Sequence, residues 1–286
     1  MMKYKNLPPL GAHTSISGGH SKAIHTGAEL GCDVIQIFSK NQMQWRSKPL
    51  QDQEVKEFRE AVNETRVLPM AVHVAYLINL ASPEKRIHGQ SMEAFTDELR
   101  RCEQLEIPYL IMHPGSHMDS EPQQGLDKIA KSIDRSLKDS ETSKTMVLLE
   151  STAGQGTNLG YTFEQLQYMI DKSTLPERIA VCIDTCHIFT AGYDIRDAET
   201  WSNTKKKISR TVGLTKIKTF HMNDSKKEFG SKRDRHERIG QGEIGLEGFR
   251  QVVNDPDFKN IPMILEIPGG NDAYAEDLKL LRSLLK

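Results

Sequence analysis

Residues 109–150 read YLIMHPGSHMDSEPQQGLDKIAKSIDRSLKDSETSKTMVLLE, and the order of patterns within this stretch decides the fold. Two short apolar runs, Tyr109–His113 and Met146–Glu150, flank Gly125–Lys138, in which apolar residues recur at helical spacing. A strand, a helix and a second strand in this order are typical of a parallel βαβ unit. The stretch therefore predicts a parallel sheet with helices between its strands.

The same alternation extends over the rest of the chain. Six further runs have strand character: Leu10–Ile16, Val34–Phe38, Met70–Tyr76, Ala180–Thr185, Lys218–Met222 and Met263–Ile267. Further helical patterns cover Glu84–Leu105, Thr162–Lys172 and Ala273–Leu285. Eight β-then-α units in 286 residues predict an α/β protein with a closed (β/α)8 TIM barrel, and an open doubly wound sheet is the alternative. No linker interrupts the pattern, so we expect one domain over residues 1–286.

Composition excludes several classes of protein. The chain has 38 Lys and Arg against 39 Asp and Glu, and 37% of its residues are hydrophobic, which suits a folded globular protein and argues against disorder. No apolar run approaches the roughly 18 residues of a transmembrane helix, and no secretory signal is visible at the start. We therefore expect no membrane partner and a cytoplasmic location, associated with the nucleoid if the source is bacterial.

The four cysteines are too few for a disulfide scaffold and contain no CxxC pair. They are Cys32, Cys102, Cys182 and Cys186. The last two lie close to Asp184 in sequence, so a thiolate metal site is an alternative. We favour the interpretation that all four are buried packing residues.

A long irregular connection follows the seventh predicted strand. Asn223–Gly245 contains four glycines and little apolar periodicity, and Lys216–Arg238 contains eight Lys or Arg against four Asp or Glu. A solvated loop is one interpretation. However, the loops after the last two strands of barrels often bind phosphate at the C-terminal face. The position of the loop therefore favours an anionic ligand.

Residues of metal-ligand type gather at the carboxyl ends of the predicted strands and in this loop. They are His73, His113, Glu150, Asp184, His187, His221, Asp234, His236 and Glu266. Singly, each could be a hydrogen-bonded core residue or a helix cap. Together, five imidazoles and four carboxylates at one barrel mouth would leave buried charges unpaired unless cations are present.

The chemistry of these ligands suits Zn, Mn or Fe, since no thiolate is needed. Nine ligands can serve about three ions if one carboxylate bridges, because a catalytic zinc takes about three protein ligands. Closely spaced divalent ions are suited to phosphodiester hydrolysis. The set therefore predicts a multi-metal phosphoesterase site.

Several of these residues lie in longer motifs that cover essentially the whole chain in order. The motifs are NQMQW at 41–45, HVAYLINL at 73–80, HPGSH at 113–117, ESTAGQG at 150–156, DTCH at 184–187, HMND at 221–224 and DRH at 234–236. In this order they resemble the endonuclease IV family of apurinic/apyrimidinic (AP) endonucleases.

The resemblance implies a monomeric enzyme that binds double-stranded DNA, uses three zinc ions, with partial Mn2+ as an option, and needs no nucleotide cofactor. Such an enzyme cuts 5′ to an abasic site, leaves a 3′-hydroxyl and a 5′-deoxyribose phosphate, and acts as a 3′-phosphodiesterase. By similarity, His73 and His113 hold one zinc, Asp184, His221 and Glu266 a second, and His187, Asp234 and His236 a third. Glu150 bridges the first two beside the nucleophilic hydroxide and is the catalytic residue.

The resemblance also implies contacts to DNA. Tyr76 matches a family residue that inserts into the base stack when the abasic nucleotide is flipped out. Met43 stands where better-known members have an Arg that enters the DNA; a methionine can wedge between bases but adds no charge. With Gln42, Lys232 and Arg235, these residues form the expected DNA-binding set.

Other histidines and one aspartate receive weaker predictions. His13, His117 and Asp224 lie near the mouth and are expected to hold metal ligands in orientation. His20, His25 and His88 lie in helix-like stretches and are expected at the surface.

Two other functions stay open at this point. A sugar isomerase or epimerase of the xylose-isomerase-like barrel type would use Glu150, Asp184, His221 and Glu266 around one Mn or Mg ion, but would leave the other five ligand-type residues without a role. A non-catalytic protein that binds abasic DNA would keep the metals as structural ions.

Overall fold

Eight parallel strands close into a barrel in the computed structural model, which describes residues 7–286. The strands are β1 Leu10–His13, β2 Val34–Phe38, β3 Leu68–His73, β4 Tyr109–Met112, β5 Gly115–Ser116, β6 Met146–Glu150, β7 Asn158–Leu159, β8 Ile179–Asp184, β9 Ile217–His221, β10 Asp224–Ser225, β11 His236–Glu237 and β12 Met263–Leu265. The barrel order is β1-β2-β3-β4-β6-β8-β9-β12, and β12 pairs with β1. This closure confirms the (β/α)8 prediction and excludes the open sheet.

Helices follow the barrel strands and cover the outside of the barrel. They are α1 His20–Glu29, α2 Asp52–Thr65, α3 Lys85–Gln104, α4 Pro122–Ser140, α5 Phe163–Lys172, α6 Thr185–Ala191, α7 Ala198–Thr211, α8 Gly245–Val253 and α9 Gly270–Leu284. Within residues 7–286, no helix has the length and apolar character needed to cross a bilayer. The first six residues lie outside the described residues. The predicted start of the domain and the expected lack of a secretory signal rest partly on them.

Helix α4 shows why these segments fold as they do. Leu126, Ile129, Ile133 and Leu137 recur every three or four residues and are all buried against the barrel. Pro122 occupies the first turn, where its missing N–H costs no helical hydrogen bond. The sequence therefore sets both the buried face and the start of the helix.

The predicted strands agree with the observed strands best at their middles. Val34–Phe38 and Met146–Glu150 match β2 and β6 residue for residue. The other six predicted runs extend past the observed carboxyl ends, by up to three residues for Leu10–Ile16 and Met70–Tyr76. The excess residues keep a strand-like pattern, but there the chain leaves the sheet to form the loops of the barrel mouth.

Two connections differ from a simple alternation of strand and helix. The short helix α6 precedes α7 after β8, and it ends where Gly192 adopts a left-handed conformation, with φ of 107°. The connection predicted to be irregular, Asn223–Gly245, contains a small antiparallel pair, β10 with β11. Both features lie at the barrel mouth.

The barrel interior has an apolar layer beneath a polar layer. Val34, Ala71, Ile111, Leu148, Ala180, Cys182 and Ile264 form the apolar layer. Side chains two positions apart along a strand face the same side. The residues two positions beyond this layer therefore form the polar layer nearer the carboxyl ends: Gln36, His73, His113, Glu150, Asp184 and Glu266.

Candidate metal centre

The polar layer contains a first group built around Glu150. Glu150 Oε2 lies 3.1 Å from His73 Nε2, and Glu150 Oε1 lies 3.4 Å from His113 Nε2. The Glu150 and His73 side chains are buried, whereas that of His113 is 36% exposed. One nitrogen or oxygen from each of the three residues lies within 4.8 Å of the others. Of the three side chains, that of His113 is therefore the most accessible to solvent.

Glu150 also belongs to a second group, with Asp184, His221 and Glu266. His221 Nδ1 lies 3.2 Å from Glu150 Oε1, 3.2 Å from Glu266 Oε2 and 4.0 Å from Asp184 Oδ2. Glu150, Asp184 and His221 are completely buried. Three carboxylates around one imidazole leave an excess of negative charge, which is costly in a buried site.

The third group consists of His187, Asp234 and His236. His187 Nε2 lies 3.1 Å from Asp234 Oδ2 and 3.4 Å from His236 Nε2. His236 Nε2 also lies 3.5 Å from Asp184 Oδ2, which connects this group to the second. His187 is in the first turn of α6, where its N–H donates to Asp184 Oδ1 over 2.8 Å. The helix cap therefore places His187 beside a second candidate ligand.

Four of the five imidazoles are held by a hydrogen bond from their outer nitrogen. Each bond is 2.9 Å long: His73 Nδ1 donates to the Val74 carbonyl, His187 Nδ1 to the Ser151 carbonyl, His236 Nδ1 to the Glu266 carbonyl, and His221 Nε2 to Gln36 Oε1. A carbonyl oxygen only accepts, so the outer nitrogen of each ring carries hydrogen. The inner nitrogen of a neutral ring then presents its lone pair to the group, as in metal-binding histidines.

The charges of the three groups are strongly coupled. Burial disfavours ionised Glu150, yet the His221 and His113 imidazoles hold its pKa well below the ordinary 4.5. Burial likewise opposes charge on His187, but Asp184 and Asp234 raise its pKa well above 6.5. The Glu150 carboxylate therefore remains ionised, and the positive charge of its neighbours stabilises it.

The donor set fits divalent metal ions. Glu150 Oε1 and His221 Nδ1 are buried and have no hydrogen-bond partner among residues 7–286. These two atoms lie close together without a well-aligned hydrogen bond. A cation bound between a carboxylate oxygen and an imidazole nitrogen would give each of them a partner. Nitrogen and oxygen donors without thiolate suit zinc or manganese.

Known proteins match nearly the whole chain. Residues 24–284 match the family model described as xylose isomerase-like TIM barrel. A relative from Chloroflexus aurantiacus, named probable endonuclease 4, is 50% identical over 283 residues, which cover 98% of this chain and 99% of the relative. A protein of the same name from Trichlorobacter lovleyi is 43% identical over 277 residues, with 96% and 99% coverage. The chain belongs to the endonuclease IV family.

Solved structures agree with this membership. Endonuclease IV from Thermus thermophilus superposes with a TM-score of 0.87 at 31% identity, covering 97% of this chain and 98% of that chain. D-Psicose 3-epimerase from Clostridium cellulolyticum superposes with a TM-score of 0.67 at 14% identity, covering 96% and 99%. The epimerase shares the fold alone. Membership of the endonuclease IV family makes this chain a nuclease.

Of the three residues expected to orient ligands, one contacts the centre. His13 Nδ1 lies 3.3 Å from Glu266 Oε1. The other two side chains have hydrogen-bond partners other than the candidate ligands. The His117 ring donates to the Ser120 carbonyl in its own loop, and Asp224 accepts hydrogen bonds from backbone N–H groups. For these two residues, closeness in sequence to the predicted strand ends therefore did not predict contact with the ligands.

The histidines expected at the surface are only partly exposed. His20, His25 and His88 all lie at half-buried positions. The His20 ring donates to the Ser39 carbonyl over 3.1 Å, and the His88 ring is hydrogen-bonded to the Ser132 hydroxyl at 2.9 Å. These two rings face neighbouring elements rather than solvent, which the helical pattern alone did not show.

Two amides that support the ligands were missed by the sequence analysis. Asn223 Nδ2 donates to Asp184 Oδ2 over 2.6 Å, and Asn223 Oδ1 accepts from the Glu266 N–H over 2.8 Å. Gln36 contacts both His221 and Glu266. One signal was available, because Gln36 is a polar residue within the otherwise apolar strand VIQIF.

Asp224 fixes the long loop that carries Asp234 and His236. Its carboxylate accepts from the N–H groups of Gly240, Gly242 and Ile244, over 2.9, 3.1 and 2.9 Å. A Cβ at Gly242 would lie 2.3 Å from the Ser225 carbonyl oxygen and 2.6 Å from Asp224 Oδ1, so only glycine fits there. In addition, the Lys232 N–H donates to the Thr190 carbonyl over 2.9 Å. The loop is thus anchored at both ends and in the middle.

Two of the expected DNA-binding side chains stand exposed on one side of the mouth. Met43, in the loop after β2, is 66% exposed, and Tyr76, in the loop after β3, is 68% exposed. The Tyr76 ring packs edge-on against Phe38 with 5.6 Å between centroids, and its centroid lies 6.2 Å from that of His73. Gln42 is half-buried beside Met43. The tyrosine therefore stands at the rim of the first group.

The basic residues of the set lie on the other side of the mouth, in the loop after β9. Lys232 and Arg235 are both exposed. The Lys232 ammonium lies 5.1 Å from the centroid of the Tyr161 ring, and the Arg235 guanidinium donates to the Asp234 carbonyl. Exposed apolar side chains and exposed cations thus flank the centre from opposite sides.

The cysteines agree with the packing interpretation. All four are buried and free of disulfides. Cys186 lies close enough to Asp184 and His236 to be a ligand, but its thiol donates to the Arg235 carbonyl over 3.7 Å. Burial raises the pKa of Cys186 to about 12. Burial therefore favours the uncharged thiol over the thiolate.

Proposed function

We propose that this chain hydrolyses DNA on the 5′ side of abasic sites, leaving a 3′-hydroxyl and a 5′-deoxyribose phosphate. The same centre would remove blocking groups from 3′ ends as a 3′-phosphodiesterase. The substrate is double-stranded DNA, and the enzyme works as a monomer with one domain over residues 1–286, in the cytoplasm or on a bacterial nucleoid. The main support is that nine ligand-type residues form three adjoining groups, two of which share Glu150.

We assign one zinc ion to each group, with manganese as a partial substitute. The ligand sets are His73, His113 and Glu150; Glu150, Asp184, His221 and Glu266; and His187, Asp234 and His236. When bound, such ions lower the pKa of water for attack on phosphorus and offset the negative charge of the phosphate.

Glu150 has the central role in this proposal. Its Oε2 faces His73, while its Oε1 faces His113 and His221, so one rigid carboxylate serves two groups at once. Because Glu150 is completely buried, little water screens its charge. In the reaction, the oxygen of water forms a bond to phosphorus, the bond from phosphorus to the 3′ oxygen breaks, and that oxygen takes a proton.

Recognition of the lesion follows from the exposed side chains. Flipping a nucleotide costs least where a base is already missing. Tyr76 and Met43 would fill the gap in the base stack, with Gln42 beside them. Lys232 and Arg235 would contact phosphates across the mouth, since cations supply most of the affinity for the DNA backbone.

Incision of a duplex that carries one tetrahydrofuran abasic analogue tests the proposal, because this analogue cannot undergo β-elimination. We expect cleavage on the 5′ side and a 3′ end that a polymerase extends. A product that cannot be extended would contradict hydrolysis at this position. A duplex with a 3′-phosphoglycolate end tests the phosphodiesterase activity in the same way.

The sugar isomerase or epimerase left open by the sequence is tested by the metal content and the incision assay together. Glu150, Asp184, His221 and Glu266 form a one-metal group by themselves, and the fold is shared with sugar epimerases. About one metal ion per chain and no DNA incision would favour that enzyme. A full metal complement with abasic-DNA binding but no incision would indicate a binding protein instead.

A further inference from the structure

We infer that Gln36 is a positioning residue of the metal centre, which sets the metal-binding tautomer of His221 and holds Glu266 in place. The inference rests on the proposed metal centre. Gln36 is completely buried on β2, although its amide would be costly to bury without a polar role. It lies beside His13 in the pairing of β1 with β2.

Every polar atom of the Gln36 amide is in use. Its Oε1 accepts from His221 Nε2 over 2.9 Å. Its Nε2 donates to Glu266 Oε1 over 2.5 Å and to His13 Nδ1 over 2.9 Å. The amide thus joins two residues of the second group that lie 185 and 230 residues beyond Gln36 in sequence.

Glu266 fixes which way the amide points. If the amide were reversed, its carbonyl oxygen would face the Glu266 carboxylate, and two acceptors would meet at about hydrogen-bond distance without a hydrogen between them. The amide oxygen must therefore face His221. Since that oxygen only accepts, His221 Nε2 carries hydrogen, and a neutral ring leaves Nδ1 as the free donor atom. His221 Nδ1 is the nitrogen that lies 3.2 Å from both Glu150 Oε1 and Glu266 Oε2.

Gln36 also gives the two carboxylate oxygens of Glu266 different roles. Glu266 lies one residue beyond the end of β12, so the sheet does not fix its side chain. Gln36 Nε2 donates to Oε1, while Oε2 faces His221 Nδ1. One oxygen is thereby held and the other is left for a metal ion.

His221 differs from the other oriented imidazoles in how it is held. His73, His187 and His236 donate to backbone carbonyls, which no substitution removes. The acceptor for His221 is a side chain, so its contribution can be measured by substitution. Partners of this kind typically change metal affinity by about 10- to 100-fold.

The test uses the full chain with Gln36→Met, which keeps the length of the side chain but removes its hydrogen bonds. Thr219→Val is the matched control, since Thr219 is completely buried in the barrel and its hydroxyl donates to the Pro262 carbonyl rather than to a candidate ligand. Zinc content is measured after dialysis, and zinc transfer to a chromogenic chelator is timed. The visible spectrum of the cobalt-loaded protein reports the geometry of the site.

In Gln36→Met, we expect the most rapidly released zinc ion to leave at least about 10-fold faster than in wild type, and we expect the cobalt absorption bands to change. In Thr219→Val, the rate of zinc release and the cobalt bands should be those of wild type. Wild-type zinc content, release rate and cobalt spectrum in Gln36→Met would overturn the inference while leaving the metal centre intact. A wild-type protein that holds no zinc would overturn the metal centre itself. If circular dichroism shows that Gln36→Met does not fold, Gln36→Leu gives the same comparison.

Discussion

Glu150 Oε1 and His221 Nδ1 face each other across 3.2 Å, completely buried and without a hydrogen-bond partner in the described chain. A neutral amide at position 150 would lose the charge that two groups share. We therefore expect Glu150→Gln to slow abasic-site incision by about 1,000-fold or more, since metal ions supply several kcal/mol to such reactions. Single-turnover incision measures this loss, and a thermal melt checks the fold.

Glu64→Gln is the control for that substitution, because Glu64 is exposed on α2. It should cut at the wild-type rate. Incision by Glu150→Gln at the rate of the control would contradict the shared-carboxylate proposal.

Removal of metal should abolish incision and lower thermal stability together. The buried carboxylates of the second group repel one another when no cation is present, and a ligand that binds only the folded state stabilises it. Dialysis against a strong chelator, followed by zinc or manganese, should remove and then restore both properties. Full incision by protein shown to be metal-free would refute the role of the ions.

Tyr76→Ala should weaken binding to abasic duplex by about 5- to 150-fold, since stacking on an aromatic ring contributes about 1–3 kcal/mol per base. Tyr76→Phe, which keeps the ring, should bind like wild type. Fluorescence anisotropy measures the affinity, and zinc content should be the same in all three proteins. Equal affinity of the alanine and phenylalanine variants would argue against insertion.

Met43→Arg should make abasic-duplex binding more dependent on salt. Met43 is uncharged and 66% exposed, and each added phosphate contact changes the slope of log K against log salt by about −0.9. Met43→Leu, which adds no charge, is the control. Slopes that coincide for both variants would show that position 43 does not contact phosphates.

Glu103→Gln should destabilise the fold far from the mouth. Burial opposes the charge, but the N–H groups of Ser143, Thr145 and Lys144 lower the pKa of Glu103 to about 2. Replacing these charge-assisted bonds costs about 1–3 kcal/mol, measurable by urea unfolding at pH 7. Because the folded pKa lies below the ordinary 4.5, the difference between variant and wild type should shrink as the pH falls from 4.5 towards 2. A difference that stays constant over this range would be inconsistent with an ionised carboxylate.

The positions of the candidate ligands could be predicted from the sequence because they follow the period of a strand. His73 lies two residues after Ala71, and Glu150 two residues after Leu148, so each polar residue shares the interior face with an apolar one. A strand assignment alone therefore brought these side chains to the same end of the barrel. The grouping into three sets came from the family resemblance and not from this periodicity.

The supports of the ligands could not be predicted in the same way. Gln36 and His221 are 185 residues apart in sequence, and the hydrogen bond between them depends on how the barrel closes. Asp224 has the residue type of a ligand, but backbone N–H groups of the loop donate to its carboxylate. Local sequence patterns indicate which side chains can form hydrogen bonds, whereas the tertiary structure determines which of these side chains are in contact.

The anchoring of the long loop by Asp224 has a consequence for entropy. Asp234 and His236 lie in a segment without a barrel strand, and such a segment would normally lose conformational freedom when it binds a ligand. Here the hydrogen bonds to Gly240, Gly242 and Ile244 restrict the segment when the chain folds. Ions and DNA that arrive later meet two side chains already in position, so their binding free energy is not reduced by ordering this loop.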